Sequence, residues 1–508
     1  MEKKRIYTFV VPMCIVMLLG AVCWWGYNQL SFQEEQADVD LYTLVPADCE
    51  ALLETKDIDA LQKTMNGAHY IRQHGVLNVS DLLNLLATNL GTIAKQQAHG
   101  LSAEMNRQLL VSFHKPGSTH DQVIYGRLGN GDIGSITRLM QQSTGTRHAP
   151  KKVTYKGEEI VIYPLGKEFL ACYFKPGFFA VSLQKKLIEK VIDACITGKS
   201  LGNVPAFHAL HKQTKHNGHL ALYLPTKGDN GNAWQHVEIR LGAEAIYLTG
   251  NHASGDTCQW TNNNDTLIER TDGTFLPKQV QVMVQRPFYA HADMDAKHPT
   301  LAGVLAEHDC GEVTTILFAP TPADTVPHQL LMLPLTTDQA ERVKQALRYP
   351  MEVKRRPSIR TTKAAYPTWQ CAGDTTLYDL FIQHPHTTES WLTIYQHHLL
   401  VSTHRETLQN YIMGMEDEAT PSAPTNHEAY VECLGDLAEQ ANYTLVADMN
   451  DIVTHHPALI ESGTPIPDFF FKHKDFFKHF MLATQHINHE GSVNTQVILT
   501  YQGDSIRQ

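Results

Sequence analysis

Phe179-Ala-Val-Ser-Leu-Gln-Lys-Lys-Leu-Ile-Glu-Lys-Val-Ile192 and Leu399-Leu-Val-Ser-Thr-His-Arg-Glu-Thr-Leu-Gln-Asn-Tyr-Ile412 align without a gap. Each reads as an apolar strand, a serine and then a helix. Leu183, Leu187, Ile188, Val191 and Ile192 fall on one helical face, and Leu408, Tyr411 and Ile412 repeat part of it. Ser182 and Ser402 stand where an N-cap belongs, with a side-chain oxygen for the free N–H groups of the first turn.

Further pairs extend outward in the same order. Thr43-Leu-Val-Pro46 corresponds to Thr274-Phe-Leu-Pro277. Leu109 to Phe113 and Val123 to Leu128 correspond to Thr315 to Phe318 and Leu330 to Leu333. Helices are expected next, around Ile133 to Met140 and Ala340 to Leu347. Val237 to Leu241 with Ala245 to Thr249 mirrors Met481 to Gln485 with Val497 to Thr500. A shared order of weak matches is the mark of an internal duplication. Each half is about 220 residues, a normal domain size.

The expected organisation is a cytoplasmic stub (1–5), a transmembrane helix (6–27), a tether (28–41), a first domain (42–257), a linker (258–273), a second domain (274–502) and a tail (503–508). Adjacent runs of alternating apolar residues predict mainly antiparallel sheets with helices on one face, so the expected class is α+β. Ser80 or Asp81 is expected to cap a helix carrying Leu82, Leu83, Leu85, Leu86, Leu90 and Ile93. Met415 to His427, with Pro421 and Pro424, reads as a loop.

Ile6 to Tyr27 is uncharged and apolar, follows Lys3, Lys4 and Arg5, and is long enough to cross a bilayer. A central charge would oppose insertion by about 2.5–3.5 kcal/mol, and none is present. Tyr7 and the Trp24, Trp25, Tyr27 group suit the two headgroup layers. Cations on the N-terminal side, against Glu34, Glu35, Asp38 and Asp40 beyond, keep Met1 in the cytoplasm and send the bulk outward. The exit Ala21-Val-Cys-Trp-Trp25 is poor for signal cleavage, and Gly20 and Val22 suit a lipoprotein signal at Cys23 badly. The expected location is therefore the inner membrane, single-pass, with a periplasmic ectodomain. The bilayer is one partner and another envelope protein a second.

The net charge of −11 argues against nucleic acid as a partner. With 43% hydrophobic and 19% charged residues the chain is of the folded, globular kind. Lys354, Arg355, Arg356, Arg360 and Lys363 form one basic stretch, read as a solvated connector. Of nine cysteines, Cys14 and Cys23 lie in the apolar run, and the remaining seven show no CxxC. Cys49, Cys172 and Cys195 align with Val280, Leu392 and Met415 and read as small buried hydrophobes. One disulfide remains open in an oxidising compartment.

The order resembles a family known only as a domain of unknown function, whose members are single-pass envelope proteins of Bacteroidetes-type bacteria. The basic start and apolar run, Val45-Pro-Ala-Asp48 and the two strand-serine-helix elements carry the resemblance. So does the closing Ile466-Pro-Asp-Phe-Phe…Phe476-Phe-Lys-His-Phe480, with two strands ending at Tyr501. The resemblance implies an envelope location and no reaction, cofactor or catalytic residue.

Catalytic patterns fail on inspection. Gly129-Asn-Gly-Asp-Ile-Gly134 fits GxGxxG, but it follows a hairpin rather than opening a βαβ unit. Its counterpart Leu333-Pro-Leu-Thr-Thr-Asp338 has no glycine. Ser182-Leu-Gln-Lys185 fits SxxK, and Ser492-Val-Asn494 fits SxN, yet no KTG strand completes the set. Arg405 replaces Lys185 in the second copy. His208, His211, His216 and His219 crowd one stretch without HExxH, and His384/His386, His397/His398 and His455/His456 are further pairs without a carboxylate signature. Phe469, Phe470, Phe471, Phe476, Phe477 and Phe480 among Lys472, His473, Lys474 and Lys478 read as a core helix with a basic outer face. A membrane-facing segment is the rival reading. The sequons at Asn78, Asn264 and Asn442 matter only in a eukaryotic secretory route.

No catalytic, cofactor or metal residue is assigned. The expected function is a non-catalytic binding or scaffolding module of the envelope. The alternatives are an uncharacterised envelope hydrolase and a histidine-rich metal-binding protein.

Overall fold

The computed structural model describes residues 39–56, 67–70, 108–115, 121–128, 150–165, 168–214, 220–228, 231–253, 267–271, 273–277, 280, 282–287, 301–307, 312–318, 328–348, 353–372, 389–416, 427–456, 474–489 and 492–502. They divide into two compact units, with the division between Gly255 and Asp256.

The first unit holds β1 (Ala51–Thr55), β2 (Leu109–Phe113), β3 (Gln122–Leu128), β4 (Lys151–Tyr155) and β5 (Glu158–Leu165). It continues with β6 (Glu168–Lys175), β7 (Gly177–Ser182), β8 (Leu220–Gly228), β9 (Gly231–Leu241) and β10 (Ala245–Ala253). Hydrogen bonding gives the order β4-β5-β6-β7-β3-β2-β1-β8-β9-β10, every pair antiparallel. Sequence alternation sets the faces, since neighbouring residues of a strand point to opposite sides. Leu52, Leu110, Val123, Tyr125 and Ala180 sit on one face and pack with Leu187, Ile188, Val191 and Ile192 of the helix Lys185–Thr197. Gly198 ends that helix in the left-handed region at φ 69°, where a side chain would be strained. A second helix, Pro205–Gln213, precedes β8 and adds Phe207 to the same core.

The second unit holds β11 (Ile268–Glu269), β12 (Val282–Pro287), β13 (Glu312–Leu317), β14 (Gln329–Pro334), β15 (Val353–Arg360) and β16 (Ala365–Ala372). It continues with β17 (Glu389–Tyr395), β18 (His398–Ser402), β19 (Gln440–Ala441), β20 (Tyr443–Asp448), β21 (Phe480–His489) and β22 (Ser492–Tyr501). Its main sheet runs β15-β16-β17-β18-β14-β13-β12-β20-β21-β22, again all antiparallel. Renumbered from its own start, this is the order of the first sheet. Helix Arg405–Glu416 follows β18 as Lys185–Thr197 follows β7, and His427–Gly435 precedes β20 as Pro205–Gln213 precedes β8. Register agrees in detail. Cys172 faces Val181 and Leu392 faces Val401, while Val181 faces Ile124 and Val401 faces Leu331. Trp369, Leu392, Val401 and Val343 share the core of this unit.

Several expectations need correction. The α+β class is overturned, because both units are dominated by antiparallel sheet and the helices are short, 13 residues at most among those described. Long hairpins such as β21–β22, paired over ten positions, take residues that a helical layer would need. The N-terminal transmembrane helix is not part of the described fold. Among the described residues no helix is long and apolar enough to cross a membrane, and Ile6–Tyr27 lies outside them. The helices expected near Leu82–Ile93 and Ile133–Met140, and the loop around Pro421 and Pro424, also lie outside the described residues.

The expected second-unit helix is Thr337–Ala346, opened by a capping box. Thr336 Oγ1 accepts from Gln339 N, and Gln339 Oε1 accepts from Thr336 N at 2.6 Å. The basic stretch read as a connector is strand β15. Cys49 and Cys172 are buried as expected from their apolar counterparts, but Cys195 is exposed, near the end of its helix.

Candidate functional site

The second unit contains a cavity of about 550 Å³, within the size range of small-molecule sites. One wall is the strip Leu267–Thr271, and the floor is the ends of β13 and β14. Gln285, fully buried on β12, fixes that strip. Its Nε2 donates to the Glu269 carbonyl at 2.8 Å and to Glu312 Oε2 at 2.9 Å, and its Oε1 accepts from Thr271 N. The strip is also tied to the sheet β11–β19, and Arg270 N donates to the Glu439 carbonyl.

Glu312 opens β13 and is half-buried. Burial lifts its carboxyl above the ordinary value; the Gln285 bond opposes the shift and the Glu269 charge adds to it. The Arg270 side chain lines the same space and has no hydrogen-bond or ion-pair partner among the described residues. Opposite lie Leu276, Met332 and the Phe275–His398 ring pair, centroids 4.2 Å apart. Burial pushes the His398 imidazole down, and its Nδ1 lies 2.9 Å from the Gln396 carbonyl. Tyr411 OH donates to the Phe275 carbonyl at 2.8 Å, anchoring Phe275 to helix Arg405–Glu416. The cavity therefore offers acid, guanidinium and apolar groups on a hydrogen-bonded frame.

The first unit places its polar chemistry inside the core. Glu54 of β1 has 1% of its side chain exposed. Gln108 Nε2 donates to Glu54 Oε1 at 2.9 Å, and Tyr223 OH donates to Oε2 at 3.2 Å. Gln108 also donates to Tyr42 OH, which lies 2.7 Å from His211 Nε2. Lys56 Nζ reaches Oε1 at 3.6 Å from the rim. Phe207 and Trp234 pack around these rings. Burial, then the Glu54 charge, raises both phenols, so Tyr42 and Tyr223 stay protonated.

Beside it, Ser112 Oγ lies 2.8 Å from His114 Nε2 and 3.0 Å from Tyr125 OH. A serine on an imidazole is the geometry of an activated nucleophile, but Ser112 has no exposed surface. Burial drives the His114 imidazole down to about 4, so it is neutral at pH 7. Neither cluster was singled out in the sequence. Glu54 lies on β1, Ser112 on β2 and His114 directly after β2, and no short motif encodes the β1–β2 pairing. A charged residue inside the apolar run Ala51–Thr55 was the one available signal.

The residues that were singled out are scattered. Ser182 Oγ donates to the Gln122 carbonyl at 2.7 Å and accepts from Gln184 N at 3.0 Å, while Lys185 pairs with Glu189. The serine and lysine of SxxK thus serve different partners. The helix starts after Gln184, so the serine braces the strand-to-helix turn instead of capping the helix. Ser402 accepts from His404 N in the same way. His208 is exposed and His211 faces the core, while His216 and His219 lie outside the described residues. Among the described residues no group of three or more His, Cys, Asp or Glu is placed to hold a metal. Phe476, Phe477 and Phe480 pack together, and Phe480 meets Tyr501. Phe469–Phe471, Gly129–Gly134, His384, His386, Asn78 and Asn264 lie outside the described residues, and Asn442 is buried.

No family model matches the chain, and no curated protein does. Among solved structures, one described as crystal form I of TP0453 is similar over 42% of this chain and 79% of its own. The identity is 11% and the TM-score 0.26, and a likeness that weak carries neither fold nor function to this protein.

Proposed function

We propose that this protein is a non-catalytic binding module, made of two copies of one ten-stranded sheet unit and held at the outer face of a cell membrane. The second-unit cavity carries the binding reading. Glu312 is held to the frame through Gln285, and it faces a wall of Leu276, Met332 and Phe275 in which His398 is held through Gln396. Fixed polar groups facing an apolar wall orient a ligand at low entropic cost. The identical strand order supports the duplication. The run Ile6–Tyr27, the cations before it and the resemblance to envelope proteins support the location.

A thermal-shift screen of small molecules on the wild type and on Met332→Trp, which fills the cavity, tests the binding reading. Compounds that stabilise the wild type and leave the variant unmoved are expected. A screen without such compounds, with both proteins folded, overturns it. Release of the protein into the soluble fraction after cell breakage overturns the location.

A further inference from the structure

Strand β15 is the outermost strand of its sheet, bonded among the described residues to β16 alone. Its sequence Val-Lys-Arg-Arg-Pro-Ser-Ile-Arg carries Lys354, Arg355, Arg356 and Arg360, and the turn after it carries Lys363. All five are exposed, and none forms an ion pair among the described residues. Arg356 Nε donates to Gln370 Oε1, a neutral partner. Arg405, from the neighbouring helix, reaches the Pro357 carbonyl at 3.4 Å and adds a sixth cation.

The matching strand of the first unit is different. On β4 and its turn, Lys152 pairs with Glu159 at 2.9 Å and Lys156 with Asp193 at 2.7 Å. That unit pairs two of its edge cations internally, and among the described residues the second unit pairs none of its five, in a chain of net charge −11. Charges on an edge strand guard against edge-to-edge pairing, and the paired lysines of β4 already serve that purpose. The unpaired row on β15 exceeds it.

The same edge refuses a peptide strand. Pro357 has no N–H to donate, and the register with β16 shifts between Arg356 and Ile359. A partner must therefore read charge without backbone pairing. Eight residues of strand span about 26 Å, and cations strung over that length suit a plane of separate anions. Nucleic acid, the rival polyanion, is disfavoured by the overall negative charge. We propose that the β15 edge docks on the anionic phospholipid headgroups of a membrane surface. The choice of lipid rests on the membrane location proposed above.

The test uses the full chain with vesicles of neutral phosphatidylcholine, and with vesicles containing phosphatidylglycerol. Acetylation of lysines is followed by mass spectrometry. With about 1 kcal/mol per surface cation, contact slows acetylation of Lys354 and Lys363 about fivefold in the anionic vesicles. Lys152 keeps its rate, and 0.5 M salt abolishes the difference. The variant Arg355→Gln/Arg356→Gln/Arg360→Gln reduces the protection. Sedimentation with both vesicle types but equal acetylation in each overturns the docking and leaves the location standing. Failure to sediment with either overturns the location. Stronger protection by duplex DNA than by lipid overturns the lipid assignment. Self-association of the glutamine variant without any lipid effect reduces the charges to edge protection.

Discussion

Gly126 of β3 lies opposite Phe179 of β7, and the aromatic ring occupies the space that a side chain at 126 would need. A Cβ there would stand 2.6 Å from Phe179 Cζ. Gly126→Ala therefore forces the buried ring to move, at a cost of about 1–3 kcal/mol. Urea denaturation measures it. Adding Phe179→Leu, which shortens the ring, recovers part of the loss, and equal stability of wild type and Gly126→Ala would refute the packing.

His114 and His456 make the fold acid-sensitive. Burial pushes each imidazole down to about 4, with the His455 charge adding for His456. In the unfolded chain both take protons near pH 6.5. Their contribution is complete above pH 6.5 and is lost as pH falls from there toward 4, because only the unfolded state binds protons in that window. Each shift corresponds to about 3 kcal/mol. His114→Gln, close in size and uncharged, flattens the first-unit part of the stability profile between pH 6.5 and 4.

Glu54 is the acceptor on which two buried donors depend. Glu54→Ala removes an acceptor from both Gln108 and Tyr223, costing about 1–3 kcal/mol. Glu54→Gln keeps the shape and one acceptor, and costs less. Guanidinium midpoints rank the two variants, and the reverse order would contradict the network.

The β17–β18 hairpin turns on Gln396 and His397, with φ of 43° and 63°. Ordinary side chains are strained there, whereas Asn-Gly is suited to the turn. Gln396→Asn/His397→Gly raises the melting temperature, by about 1 kcal/mol of stability.

Glu312 carries a raised carboxyl value, so its ionisation opposes folding. Stability tied to this group is present at low pH and is lost as pH rises through its folded value. Glu312→Gln raises stability at pH 7 by less than about 1 kcal/mol and leaves it unchanged at pH 4. Calorimetry at the two pH values decides it.

Local signals were legible where one segment settles its own structure. Phe179–Ile192 and Leu399–Ile412 announced a strand and a helix, because apolar period is encoded within a few residues, whereas Ser182, placed as the helix cap, braces the turn before it. The balance of sheet and helix was not, since pairings such as Leu53 with Leu222 depend on distant partners. The connector reading of β15 failed for a related reason. An edge strand exposed on both faces has the composition of a loop, with four cations and a proline in eight residues. The cavity was invisible because Arg270, Glu312 and His398 converge from three separate segments.

Strand β1 sits between β2 and β8, with Leu53 opposite Val111 on one side and opposite Leu222 on the other. A ribosome has to deliver nearly all of the first unit before that central slot can be filled. Ring closures of such span slow the search for the native state. The first sheet is thus completed only late in synthesis, after its local hairpins have had time to form.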